Sequence, residues 1–182
     1  AECAKAFGTL FMAALSDSSD PVRESAVIGL INIDEPKARE ILISKSLFED
    51  PSVTIRQNIF ALAGRVGSET DLGWLSGKLA KADSEQAWTA MLEIFKRSRS
   101  STLADWISNI EADPNVAIAT ERKITLLEMG EQKAQGENQP AVLNAVRKRL
   151  AVAYSQSGQS TKALEYWGKV SEGSSEADRV QA

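Results

Sequence analysis

The chain has no histidine and a single cysteine, Cys3. Lack of histidine removes the commonest general base near neutral pH and a frequent metal ligand. A Ser-His-Asp triad is therefore excluded although serines are numerous. A Ser-Lys pair is compatible with the composition, but no motif supports one. Cysteine–histidine zinc sites are excluded on the same count. The acidic pairs Glu49 with Asp50 and Glu111 with Asp113 lack the alternating oxygen ligands and closing glutamate of a calcium loop. Carboxylates of helix turns account for them more simply. The eleven glycines are scattered and form no phosphate-binding fingerprint. Cys3 falls on an apolar stripe, where a packed, inert thiol is expected, and one cysteine allows no internal disulfide. The residues thus predict no catalytic group, no cofactor and no metal.

Recognition is the chemistry that remains. Basic side chains cluster at Lys96, Arg97 and Arg99 and again at Arg147, Lys148 and Arg149. A net charge of −4 and a pI near 5.1 argue against the broad attraction that nucleic acid needs. Of the four tryptophans, Trp88 and Trp167 fit apolar stripes and are expected in the core. Trp74 follows Gly73 beside the Leu72, Leu75 and Leu79 stripe, where a partly exposed ring would make a peptide anchor.

These groups must be held by helices. Asp17, Asp50 and Asp83 recur 33 residues apart, each in a polar turn between apolar-periodic segments, and a further turn, Glu111 to Pro114, follows. A fixed period of this size with one helix-turn-helix per period predicts an all-α chain, an α-solenoid of stacked antiparallel helix pairs with about ten helices. The first helix is expected over residues 2–16, with Cys3, Phe7, Leu10, Phe11, Ala14 and Leu15 as its stripe. Pro21 suits the first turn of the second, whose buried face is expected to be Val22, Ala26, Leu30 and Ile33. Ala38, Ile41, Leu42 and Phe48, then Ile55, Ile59, Leu62 and Val66, mark the next pair, with Gly67 as its stop. Leu72, Leu75 and Leu79 precede Trp88, Met91, Leu92 and Phe95 in a third pair. Leu103, Trp106, Ile107 and Ile110 precede Val116, Ile118, Ile124 and Leu127 in a fourth.

Asp20-Pro21-Val22-Arg23, with Ala26 and Leu30 after it, resembles the inter-helix turn and second helix of HEAT repeats. Asp50-Pro51-Ser52-Val53 followed by Ile55-Arg56 matches more loosely, and Thr89 takes the arginine's place in the third register. The resemblance covers residues 1–100 well and 101–130 weakly. It implies that the turn aspartates and Arg23 and Arg56 link neighbouring repeats, and that the aspartates cap the second helices.

Residues 131–139 are polar and read as a joint between residues 1–130 and 140–182. Pro140 opens a new helix. From Leu150, the spacing of Ala151, Tyr154, Gly158, Ala163, Trp167 and Val170 resembles a tetratricopeptide repeat over residues 141–174. Arg147 and Ser175 stand where that family carries a bulky apolar residue and a proline. Residues 175–182 read as the start of a following, truncated helix. The resemblance implies a groove lined by the first helix of the unit, facing which would be Lys148, Val152, Ser155 and Gln156. A basic groove of this kind grips the carboxylate end of a peptide.

The reading is a non-enzymatic protein–protein interaction scaffold, a fragment of a larger helical-repeat protein whose partner is a protein or peptide. The runner-up is a nucleic-acid-binding HEAT-like array using Arg23, Arg56, Arg65, Lys96, Arg97 and Arg99. A HEAT-like lyase or chromophore-handling protein rests on fold analogy alone. No apolar run approaches the ~20 residues of a membrane span.

Overall fold

The computed structural model describes residues 2–112 and 118–180, with side chains over 7–111 and 118–170. Asp113, Pro114 and Val116 lie outside the described residues, and Cys3 and Ser175 outside the described side chains. Among the described residues the chain is all-α, with ten α-helices, two short 3-10 turns and no strand. The first six helices are α1 Glu2–Ala14, α2 Asp20–Ile33, α3 Glu35–Ser44, α4 Val53–Val66, α5 Leu72–Ser76 and α6 Ser84–Arg97. They are followed by α7 Ser100–Ala112, α8 Thr120–Gly136, α9 Pro140–Gln156 and α10 Ser160–Val180. The chain divides into two compact units, residues 1–94 and 95–182, with the division inside α6.

Two boundaries differ from the sequence reading. Residues 131–136 continue α8, so only residues 137–139 connect it to α9. Polarity alone does not end a helix, and Glu131, Gln132, Lys133, Ala134 and Gln135 are all good helix formers. Likewise α10 runs through residues 175–180 rather than stopping before them. Serine at 175 breaks nothing, where proline would have ended the helix.

In the first unit α1 packs on α2, α2 on α3 and on α4, and α3 on α4. Leu15, Val27, Leu30, Leu42, Ile55, Ile59 and Leu62 form the centre of its core. The ring of Phe11 lies so close to α2 that a side chain at Gly29 would meet it at 2.5 Å. The buried face of α2 is rotated from the expected one. Ala26 and Leu30 are inside, but Val22 and Ile33 are exposed, and Arg23 and Val27 take their places. On α1, Phe7 and Leu10 are exposed, and Leu15, just past its end, is buried.

Arg23 explains the rotation. Its guanidinium donates through Nε and Nη2 to both carboxylate oxygens of Asp50, at 3.0 Å each, and through Nη1 to the carbonyl of Asp17 at 2.8 Å. Nη2 also donates to Asp20 at 2.6 Å. Thirty-three residues on, Arg56 donates to Asp83 at 2.9 Å and to the carbonyl of Asp50 at 2.7 Å. Each arginine therefore joins the carbonyl of its own turn to the carboxylate of the next. Burial works against the charge of Asp50, yet its bonds from Arg23 and from the Ser52 N–H hold its pKa below the ordinary carboxylate value. The same bonds to Asp50 and Asp20 push the Arg23 pKa upward.

Asp17 and Asp50 do not cap the following helices as expected. Asp17 and Asp50 each accept the N–H two residues on, from Ser19 and Ser52 at 2.8 Å. Ser52, not Asp50, is the N-cap of α4 and accepts from the Ile55 N–H. In the third register Thr89 bonds back to the Glu85 carbonyl, and the series ends. A second tie, outside the period, joins Arg39 of α3 to buried Asp71 at 2.8 Å.

In the second unit α7 packs on α8, α8 on α9, and α9 on α10. Gly158, at φ +76, makes the turn between α9 and α10 that other residues resist. The ring stacked on buried Tyr154 is Tyr166, at 5.4 Å between centroids, not Trp167. Tyr166 is 9% exposed and Trp167 45% exposed, so the expected core position of Trp167 is corrected by one residue. Trp88 is in the core as expected.

The burial of these pairs sets their value. Arg23 and Asp50 side chains are 11% and 5% exposed, against 50% and 37% for Arg65 and Glu35. Removing one partner of a buried pair strands the other, so Arg23→Ala should cost about 3 kcal/mol of unfolding free energy, with Arg56→Ala close behind. Arg65→Ala should cost no more than about 0.5 kcal/mol. Urea unfolding of the three variants checks the order, and equal losses would contradict it.

Candidate functional site

Proline at its first turn starts α9 without loss of a needed donor. Val146, Leu150, Ala151, Ala153 and Tyr154 are its buried side. Lys148, Val152, Ser155 and Gln156 are all exposed, and positions i, i+4, i+7 and i+8 of a helix share one face. The structure thus brings the four expected groove residues onto one solvent-facing strip.

The three consecutive cations of α9 have different surroundings. Arg147 donates to Glu131 of α8 at 2.8 Å. Arg149 donates to the Ala104 carbonyl at 3.1 Å and to Ser108 Oγ at 2.6 Å on α7. Lys148 is exposed and has no ion-pair partner among the described residues. It is the one cation of the three left to face a ligand.

Behind the strip lies a polar layer that the sequence reading missed. Tyr154 donates to Glu128, and Tyr166 donates to Glu131 at 2.7 Å. Burial, and then the bond to a carboxylate, push both phenol pKa values up, so both stay donors at physiological pH. Lys162 and Lys169 stand over the faces of Tyr154 and Tyr166 at 4.9 and 4.2 Å. Glu128 and Glu131, three apart on α8, therefore hold α9 and α10 through three side chains. Only that helical spacing of two acids, with tyrosines and an arginine downstream, hinted at it.

Trp74 lies in the other unit and is half-buried. Its ring stacks on Phe48 at 4.7 Å and tilts against Phe60 at 5.6 Å, and its indole N–H donates to Asp71 at 3.1 Å. Packing and hydrogen bonding thus engage the side chain, which is not a free ring. Among the described residues no group of three or more cysteine, aspartate or glutamate side chains converges to hold a metal, and no helix is long and apolar enough to cross a membrane.

Comparison with protein-family models, curated proteins and solved structures gave no match.

The different surroundings of neighbouring cations give a direct check. Arg147→Ala should lower unfolding free energy by about 1–2 kcal/mol, since Glu131 is largely enclosed. Lys148→Ala should stay within about 0.5 kcal/mol of the parent. Thermal melts of both variants test this, and equal losses would show that Lys148 is not a free surface residue.

Proposed function

We propose that this chain is a non-catalytic protein-interaction scaffold, HEAT-like over residues 1–130 and tetratricopeptide-like over 141–174. The repeated bonding of Arg23 and Arg56 supports the first resemblance, because two arginines 33 apart make the same pair of contacts. The Tyr154 position, the Gly158 turn and the buried Ala151 and Ala163 support the second. Stacked helix pairs of this kind present extended surfaces suited to gripping another protein.

The observation that carries the functional reading is the strip Lys148, Val152, Ser155 and Gln156. It combines one uncompensated cation, one exposed apolar side chain and two hydrogen-bonding groups on a helix fixed from behind. Such a strip suits an acidic peptide, with Lys148 taking a carboxylate and Val152 an apolar side chain. The nucleic-acid reading loses ground here. Arg23, Arg56 and Arg65 are each engaged with protein carboxylates, which leaves no run of free cations along the first unit's arginines.

Affinity capture with the chain, followed by anisotropy with peptides derived from the captured partner, tests the reading. Lys148→Glu should weaken an acidic peptide by roughly tenfold or more, as loss of a charge-assisted contact and its replacement by a like charge imply. Unchanged affinity in that variant would remove the strip as the site. Salt-sensitive retention of nucleic acid instead of protein would overturn the scaffold reading.

A further inference from the structure

Two opposite charges stand one turn apart near the end of α8, and each meets the end of a different helix. Lys133 Nζ donates to the carbonyls of Lys96 and Ser98 at 3.0 and 2.8 Å, where α6 ends. Glu137 accepts from the Ser100 N–H at 3.1 and 3.2 Å and from its hydroxyl at 2.8 Å, where α7 begins. A helix C-terminus leaves carbonyls unpaired and partly negative, and an N-terminus leaves N–H groups unpaired and partly positive. The cation therefore sits on the end that wants a cation, and the anion on the end that wants an anion. Ser98 and Ser100 beneath them are buried, so the bonds at these two residues lie where water reaches poorly.

The corner that carries Glu137 is itself closed tightly. The Glu137 N–H returns to the Lys133 carbonyl at 2.8 Å, and the Gln139 N–H returns to Ala134 at 2.9 Å. Asn138 adopts φ 51, a left-handed conformation that asparagine tolerates better than most. The stretch whose polarity reads as a flexible joint is thus short, internally bonded and tied at two points.

We propose that Lys133 and Glu137 form an electrostatic clasp that locks the α8–α9 corner onto the α6–α7 corner, making the joint rigid and fixing the angle at which α9 is displayed. The Ser100 hydroxyl, then its N–H, hold the Glu137 pKa below the ordinary carboxylate value, with Lys133 and Arg99 adding to the effect. The carboxylate is therefore charged throughout the physiological range and the clasp is always closed there. This inference stands whether or not the α9 strip binds a ligand.

Amide hydrogen exchange on the whole chain tests it with three variants: Glu137→Gln, Lys133→Met and the two combined. Either single change should speed exchange at residues 100–103 and 137–139 by roughly tenfold, the scale expected when a hydrogen bond to a charged group is lost. Amides in the middle of α9 and in α4 should be unaffected. The double variant should exchange little faster than either single one, since opening one arm already opens the clasp. Ser100→Ala, which removes one donor and keeps the backbone, should give a smaller rise at the same amides. Unchanged exchange at the corner in Glu137→Gln would overturn the proposal. So would a uniform rise across residues 95–182, because the contacts would then support the whole unit rather than one joint.

Discussion

A guanidinium that reaches back six residues to a turn carbonyl and forward 27 residues to a turn carboxylate is the constraint on which the first unit depends. Arg23 does both, and Arg56 repeats it. Because the arginine must point at the next turn, it sets the rotation of its helix. Arg23 is buried and Val22 beside it is exposed, against simple apolar periodicity. The core then forms from side chains that this rotation turns inward, Ala26, Val27 and Leu30 among them. Bidentate bonding at both Asp50 oxygens offsets the cost of taking the charges out of water.

The second unit solves the same problem with carboxylates on one helix. Glu128 and Glu131 on α8 accept from Tyr154, Tyr166 and Arg147, and Lys133 and Glu137 meet the α6–α7 corner. These side chains project from α8 to its neighbours, so α8 organises the unit through polar contacts while Leu126, Leu127 and Ile124 supply its apolar side. The outward strip of α9 is a consequence. With its other faces packed on α8 and α10, Lys148, Val152, Ser155 and Gln156 are among the side chains it leaves to solvent.

Much of this was legible in the residues. The helix content, the turns at Asp17 and Asp50 and the proline starts follow from period and punctuation, which are local, whereas the choice of the four α9 residues rests on the tetratricopeptide resemblance. The aspartate–arginine ties came from a family resemblance rather than from spacing. The misreadings share another cause. Periodicity places Val22 and Ile33 inside because it cannot see that a buried arginine shifts the face. The apolar stripe and the tetratricopeptide pattern place Trp167 inside, whereas it is Tyr166 that is buried, its phenol finding Glu131, a partner on another helix. Residues 131–136 read as a joint because their polarity resembles that of a loop, whereas their partners are distant in the chain: Lys133 reaches Lys96 and Ser98, and Glu131 accepts from Arg147 and Tyr166. What the sequence hid was long-range polar pairing.

The most direct test is a double-mutant cycle on Arg23 and Asp50, using Arg23→Ala, Asp50→Ala and the two together, with unfolding free energies from urea titration. If the tie couples successive turns, the double variant should lose less than the two single losses combined, with a coupling energy of at least about 1.5 kcal/mol. Losses that add to within about 0.5 kcal/mol would mean that the two side chains act separately and that this tie does not couple successive turns.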